Sequence, residues 1–261
     1  MKAFLSVLVI LTLAACSSNP NEDIASTSPT TCEDGNPEAC TNDGVEALES
    51  GDNLRATQLF EKACQKGAAV GCANRGLMDS EGLTQSPDLG QARYWYGLAC
   101  ELDHGESCSS LGVMTLTGEG GVEDPPRARF LFEKACDLNS PLGCASLGLS
   151  FLQSQGGPGD PIASRVALEK SCRLQEASGC AHLGRLYADG IGGPKKAAQA
   201  FDLLQKSCAE GAEEGCAYLG LLYAKGIGVP QDPVLAKPLL EGGCAIGLQA
   251  ACTALEETNS D

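Results

Sequence analysis

The apolar positions of this chain recur with two periods at once. Inside short segments they fall at helical spacing, as in Leu219, Leu222 and Tyr223. Along the chain the same segments return every 36 residues, and a period between 20 and 50 residues is the signature of a solenoid. Two kinds of segment alternate. The first carries a Leu-Gly pair (Leu111-Gly112, Leu147-Gly148, Leu183-Gly184, Leu219-Gly220) and stops at a glycine such as Gly82, Gly118, Gly190 or Gly226. A glycine after a helical run is the usual left-handed stop. The glycine of the Leu-Gly pair lies inside the helix, where it costs about 1 kcal/mol relative to alanine, so it predicts a close approach of the neighbouring helix backbone. The second kind opens at Asp52, Asp88, Asp124, Asp160 or Asp232, with Lys196 as the exception, and proline follows at Pro125, Pro161 and Pro233. Aspartate as N-cap with proline in the first turn is a physically sound helix opening. Large pairs then recur, as in Leu59-Phe60, Trp95-Tyr96, Leu131-Phe132 and Leu203-Leu204.

One unit therefore reads as a helix of roughly ten residues, a Gly-rich loop, a helix of roughly thirteen and a short turn. Six such hairpins run from Cys40 to Cys244, and a half-unit starts at Cys252. In that last helix Glu256-Glu257 replaces the Leu-Gly pair, as a stack that ends in water requires. Repeat one is short, which predicts a helix reduced by about a turn. The fold class is an all-α, right-handed α/α solenoid over residues 32–261.

These columns resemble the Sel-1-like repeat, a relative of the tetratricopeptide repeat with a longer inter-helix loop. The clearest copies carry Ala-x-Leu-Gly-x-Leu-Tyr-Ala-x-Gly-Ile-Gly, at Ala181 to Gly192 and Ala217 to Gly228. A regular pair of cysteines eight apart narrows the resemblance to the cysteine-rich Hcp-type subset.

Fourteen of the 15 cysteines lie in that ladder. Two pairings bring sulfurs close. Each cysteine ending a second helix can bond the one eight residues later, which opens the next helix; alternatively the two ends of one hairpin can be bridged, as Cys72 to Cys100. The second scheme strands Cys32 and Cys252, whereas the first uses every ladder cysteine. Parity and the fixed spacing favour Cys32–Cys40, Cys64–Cys72, Cys100–Cys108, Cys136–Cys144, Cys172–Cys180, Cys208–Cys216 and Cys244–Cys252. Closing so short a loop contributes roughly 2–3 kcal/mol per bridge. Disulfides in this number belong to an oxidising compartment.

The remaining cysteine is Cys16. Met1-Lys2 is a basic start, Ala3 to Leu13 is uncharged, and Leu13-Ala14-Ala15-Cys16 follows. The run is too short for a membrane span and has the form of an export signal, 1–15. Its end resembles the lipobox of a bacterial lipoprotein, which implies lipidation of Cys16. Residues 16–31, rich in Ser, Thr, Asn and Pro, cannot repay the entropy of folding and read as a tether with ends roughly 20 Å apart. Ser17 resembles an outer-membrane sorting signal. The expected location is the bacterial envelope, on the outer membrane, with the solenoid in the periplasm or on the surface.

With 18 Lys+Arg against 34 Asp+Glu, the formal charge is −16, which disfavours nucleic acid. Neither of the two histidines, His104 and His182, reads as a catalyst, His182 reading as a surface residue of its helix, and no catalytic, cofactor or metal set is assigned. The Gly-x-Gly pairs follow no strand and read as helix stops. Resemblance to Hcp-type proteins implies an alternative, a penicillin-binding or β-lactamase-like hydrolase, although the chain carries neither Ser-x-x-Lys with Lys-Thr-Gly nor clustered histidines. The favoured reading is a scaffold that binds a protein or peptide of the envelope on its concave face, and reaches the membrane through Cys16. If first helices line that face, the later repeats present His182, Arg185 and Asp189 with Tyr218, Leu221 and Lys225. Arg185 and Tyr218 are residue types favoured at binding hot spots.

Overall fold

The computed structural model describes residues 31–33 and 35–258. The expected export signal, Cys16 and all but the last residue of the expected tether lie outside the described residues. Thirteen α-helices and no strand occur among the described residues. The first helices of the hairpins are α1 (Pro37–Glu49), α3 (Ala69–Glu81), α5 (Gly105–Thr117), α7 (Pro141–Leu152), α9 (Ala177–Asp189) and α11 (Glu213–Lys225). Their partners are α2 (Asn53–Gln65), α4 (Leu89–Glu101), α6 (Pro125–Asp137), α8 (Pro161–Arg173), α10 (Ala197–Ala209) and α12 (Pro233–Ala245), and α13 (Gln249–Thr258) ends the stack alone. The architecture is the expected all-α solenoid.

The second helices open as their sequence dictates. The side chains of Asp52, Asp88, Asp124, Asp160 and Asp232 each accept a backbone N–H of the first turn, and Lys196 supplies no such bond. The first helices are longer than expected, 13 residues rather than about ten, because each starts three residues ahead of its cysteine. His104, Ser140 and Glu176 cap those starts with their side chains. The deletion in repeat one falls in the loop and not in the helix. Helix α1 has its full 13 residues, and only residues 50–52 separate it from α2.

All seven ladder pairs are bonded, with Cα atoms 4.3–4.7 Å apart. Six of the bridges tie the last turn of a second helix to the first turn of the helix that follows, and Cys32–Cys40 ties the turn ahead of α1 to its first turn. The intervening turn needs one left-handed residue, supplied by Gly67, Gly211 and Gly247 or by Asp103, Asn139 and Gln175 at φ 61–66°. At the crossing the residues just ahead of the two cysteines touch. A Cβ on Gly71 would lie 2.6 Å from that of Ala63, and one on Gly143 2.5 Å from that of Ala135.

The Leu-Gly glycines meet a side chain more closely than a backbone. A Cβ on Gly112 would lie 2.5 Å from the Phe132 ring, one on Gly184 2.6 Å from Leu204, and one on Gly44, which follows Asp43 at the equivalent place in repeat one, 2.6 Å from Phe60. These large residues are fully buried, so each hairpin has a ring or a leucine seated on a bare patch of helix.

The Gly-x-Gly pairs also do more than stop a helix. Gly190 and Gly226 are the left-handed caps. The second glycine, at Gly120, Gly156, Gly192 and Gly228, lies against the first-turn carbonyl of the preceding second helix, at Leu89, Pro125, Pro161 and Ala197, so closely that no Cβ fits. Arginines lock these loops. Arg129 donates to the carbonyls of Ser150, Gln155, Gly157 and Pro158 at 2.6–3.1 Å. Arg93 donates to Met114, Glu119 and Val122 at 3.1–3.2 Å. Arg165 reaches Pro194 and lies 4.3 Å over the Tyr187 ring. Thus the three hairpins that carry these arginines each hold the loop of the next.

Successive first helices approach one another directly except α3 and α5, most extensively α9 with α11 and α11 with α13, while successive second helices make no comparable approach. The first helices therefore form the inner, concave wall of the stack.

Substituting alanine for glycine separates packing from propensity at two sites. Gly112→Ala gains about 1 kcal/mol of helix propensity but forces the buried Phe132 ring to move, at roughly 1–3 kcal/mol. It is expected to lower the urea midpoint. Gly97, inside α4 with open space where a Cβ would go, is expected to raise it on the same change.

Candidate functional site on the concave face

Residues of α9, α10, α11 and α13 line a cavity of about 200 Å³ that opens on the inner wall. Its apolar lining comes from Ala188, Leu204, Tyr218, Leu221, Leu222, Ile227, Leu248 and Ala250, and its charged lining from Arg185, Asp189 and Lys225. Five of the six residues expected on this face thus meet at one cavity. The sixth, His182, stands edge-on to the Tyr218 ring at 6.0 Å between centroids.

Two expectations change. Tyr218 is not a surface contact residue: only 5% of it is exposed, and the Arg185 guanidinium lies over its ring, 5.7 Å from the centroid. His182 is half-buried rather than superficial, and its Nδ1 has no hydrogen-bond partner. Burial pushes the His182 imidazolium below its ordinary pKa, with Glu214 opposing the shift and Arg185 adding to it. The floor from Leu248 and Ala250 was not legible in the sequence, which marked the last helix only as a polar end. The core leucines 204 and 222 were visible as apolar columns, but not as the floor of an opening.

Neither histidine lines this cavity. His104 caps α5, accepting the Ser107 N–H at Nδ1, 3.3 Å away, with the Ser107 hydroxyl at 2.9 Å. Glu106 lies 3.8 Å from His104 Nε2. Although Ser, His and Glu meet here, the Ser107 hydroxyl belongs to a residue only 2% exposed, and the contact is a helix cap. Among the described residues no three His, Cys, Asp or Glu converge as a metal site, and no helix is long and apolar enough to cross a membrane.

Stacked helix hairpins with an open inner wall define the class of α-solenoid scaffolds. Within that class the chain belongs to the Sel1 repeat family, whose family model matches residues 37–67, 69–104, 105–140, 177–211 and 213–241. The unmatched unit is α7–α8, where Ser154 takes the left-handed position of the glycine stop at φ 58°. Among solved structures, the chain is similar to c5321, a protective antigen of uropathogenic Escherichia coli with an SLR fold. The two are 25% identical with a TM-score of 0.71, over 86% of this chain and 49% of that one, so this chain spans about half the length of that antigen. A Sel1 repeat protein from Oxalobacter formigenes matches at 23% identity and TM-score 0.69, over 80% of this chain and 85% of the other. Helicobacter pylori cysteine rich protein B is matched at 27% identity and TM-score 0.35, over 42% of this chain and 94% of its own. No curated protein matches the chain.

Two measurements check the placement of these rings. Tyr218→Ala is expected to cost about 3 kcal/mol of stability by emptying a buried aromatic site, while Tyr218→Phe, which keeps the ring, remains near the parent in chemical unfolding. For His182 the folded pKa lies below the unfolded value of about 6.5. Its contribution to stability is therefore complete above that pH and is lost as the pH falls through the folded value. Unfolding midpoints at about pH 7.5 and 5 should show a smaller acid loss for His182→Gln than for the parent chain.

Proposed function

We propose that this protein is an exported, membrane-anchored scaffold that captures a protein or peptide of the bacterial envelope on the inner wall of its C-terminal repeats. The observation that carries this reading is the cavity itself. It is the place on the inner wall where apolar residues and unpaired charges of both signs share one opening. Small apolar openings rimmed by a few polar groups are the usual form of a recognition site. Sel1 repeat proteins as a family act through protein interaction, which supports the coarser half of the reading.

Export is supported by the chemistry of the stack. Seven bridges persist only where thiols are not kept reduced. Anchoring at Cys16 rests on the Leu-Ala-Ala-Cys sequence and its uncharged leader, and the outer membrane is the expected destination.

A photo-crosslinking residue at Leu221 is expected to capture a defined partner in the native envelope, identified by mass spectrometry. The same probe at Phe130, 62% exposed on a second helix, serves as the control and should not capture it. Equal labelling from both positions would remove the concave-face reading. In the same cells Cys16→Ser should shift the protein from the membrane to the soluble fraction. Nitrocefin turnover by the purified chain, with and without added metal, would instead support the hydrolase alternative.

A further inference from the structure

The seven bridges are alike in spacing but not in cover. In the four from Cys32–Cys40 to Cys136–Cys144 both cysteines are buried, and in the fifth Cys180 is buried while Cys172 is half-buried. In the last two, Cys208–Cys216 and Cys244–Cys252, both cysteines are half-buried.

The residues that lie over each bridge explain the difference. The end of a second helix reaches back to the bridge of the joint before it. Leu98 packs on the cluster that holds Cys64 and Cys72. One and two units on, the same column is lysine: Lys134 donates to the Cys100 carbonyl at 2.7 Å, and Lys170 to the Cys136 carbonyl at 2.5 Å. Leu138 and Leu174, four residues further along, pack on the clusters that hold Cys100–Cys108 and Cys136–Cys144. Both columns then fail. Lys206 turns outward to pair with Glu210 at 3.7 Å, and Glu210 stands in the place of Leu138 and Leu174. Over Cys208–Cys216 the two positions are Gly242, with open space around it, and Ile246, which is exposed. Beyond Cys244–Cys252 no second helix follows α13 among the described residues.

Exchange of a disulfide requires a thiolate to reach one of its sulfurs, so access sets the rate, and exposed bridges are the labile ones. We propose that Cys208–Cys216 and Cys244–Cys252 are exchange sites for a dithiol of the surrounding compartment, while the other five bridges stay closed and hold the stack. One thiolate of the dithiol attacks a sulfur of the bridge and expels the other cysteine as a thiolate, which takes up a proton. The second thiol of the dithiol then cleaves the mixed disulfide. The dithiol leaves as a disulfide, oxidised by two electrons, and the protein holds two thiols. Opening Cys208–Cys216 frees the start of α11 from the end of α10. Opening Cys244–Cys252 releases a loop that includes Leu248 and Ala250 of the cavity lining. The inference concerns the covalent state of two joints and stands whatever the cavity binds.

The test exposes the folded full chain to graded dithiothreitol at neutral pH without denaturant. New thiols are labelled with N-ethylmaleimide and located by peptide mass spectrometry. Cys208, Cys216, Cys244 and Cys252 should label about tenfold faster than the remaining ladder cysteines. Gly242→Leu, which restores the kind of cover that Leu98 provides, should slow labelling of Cys208 and Cys216 and leave Cys244 and Cys252 unchanged. Gly242→Ala improves helix propensity as much but covers nothing, and should leave all four rates unchanged. Leu174→Ala should speed labelling at Cys136 and Cys144 alone. All seven bridges opening together, an order that begins among the first four, or equal slowing by Gly242→Ala and Gly242→Leu would overturn the proposal.

Discussion

Everything in this stack depends on how closely two helix ends can cross at the joint between hairpins. A bridge of cysteines eight residues apart brings their Cα atoms within 4.7 Å, a separation that bulky neighbours would prevent. The residues just ahead of the cysteines are therefore small, pairing Ala63 with Gly71, Ala135 with Gly143, Ser171 with Gly179 and Ser207 with Gly215. The left-handed turn residue sets the angle at which the next hairpin departs. Once that angle is fixed, the loop glycines find the preceding helix start and the arginines find the loop carbonyls. Covalent bond, small-residue crossing and loop clamp thus specify one geometry at each joint.

Much of this was legible because a repeat displays its constraints as columns. The Asp-Pro openings, the Leu-Gly pairs and the cysteine ladder each recur at 36 residues, and each has a local physical reason. What escaped were contacts made between repeats. Arg93, Arg129 and Arg165 stand 36 apart in plain view, yet an arginine column reads as a solvated face until the neighbouring loop is placed against it. The second glycine of each Gly-x-Gly was read as a stop for the same reason, since its steric constraint comes from another hairpin. In repeat one, a length deficit alone does not say whether helix or loop has shortened.

The candidate site divides along the same line. Helical spacing put Arg185, Asp189, Leu221 and Lys225 on one face of the first helices, and these four line the cavity. Tyr218 shares a column with Asn74, Ser110, Ser146 and His182, whose polar or short side chains suggest exposure. Its own ring is large enough to lie down between α9 and α11 and be covered. Nothing in the local pattern distinguishes those outcomes, because the covering groups, His182 and Arg185, belong to the preceding repeat.

The bridges also have a bearing on how such a chain can be made. Each joins a ladder cysteine to the very next one along the sequence, never across a repeat. For a polypeptide threaded amino-terminus first into an oxidising space, the order in which these thiols arrive is also the order in which they bond. Correct connectivity then needs no shuffling, and adding or losing a whole unit leaves every later partnership unchanged.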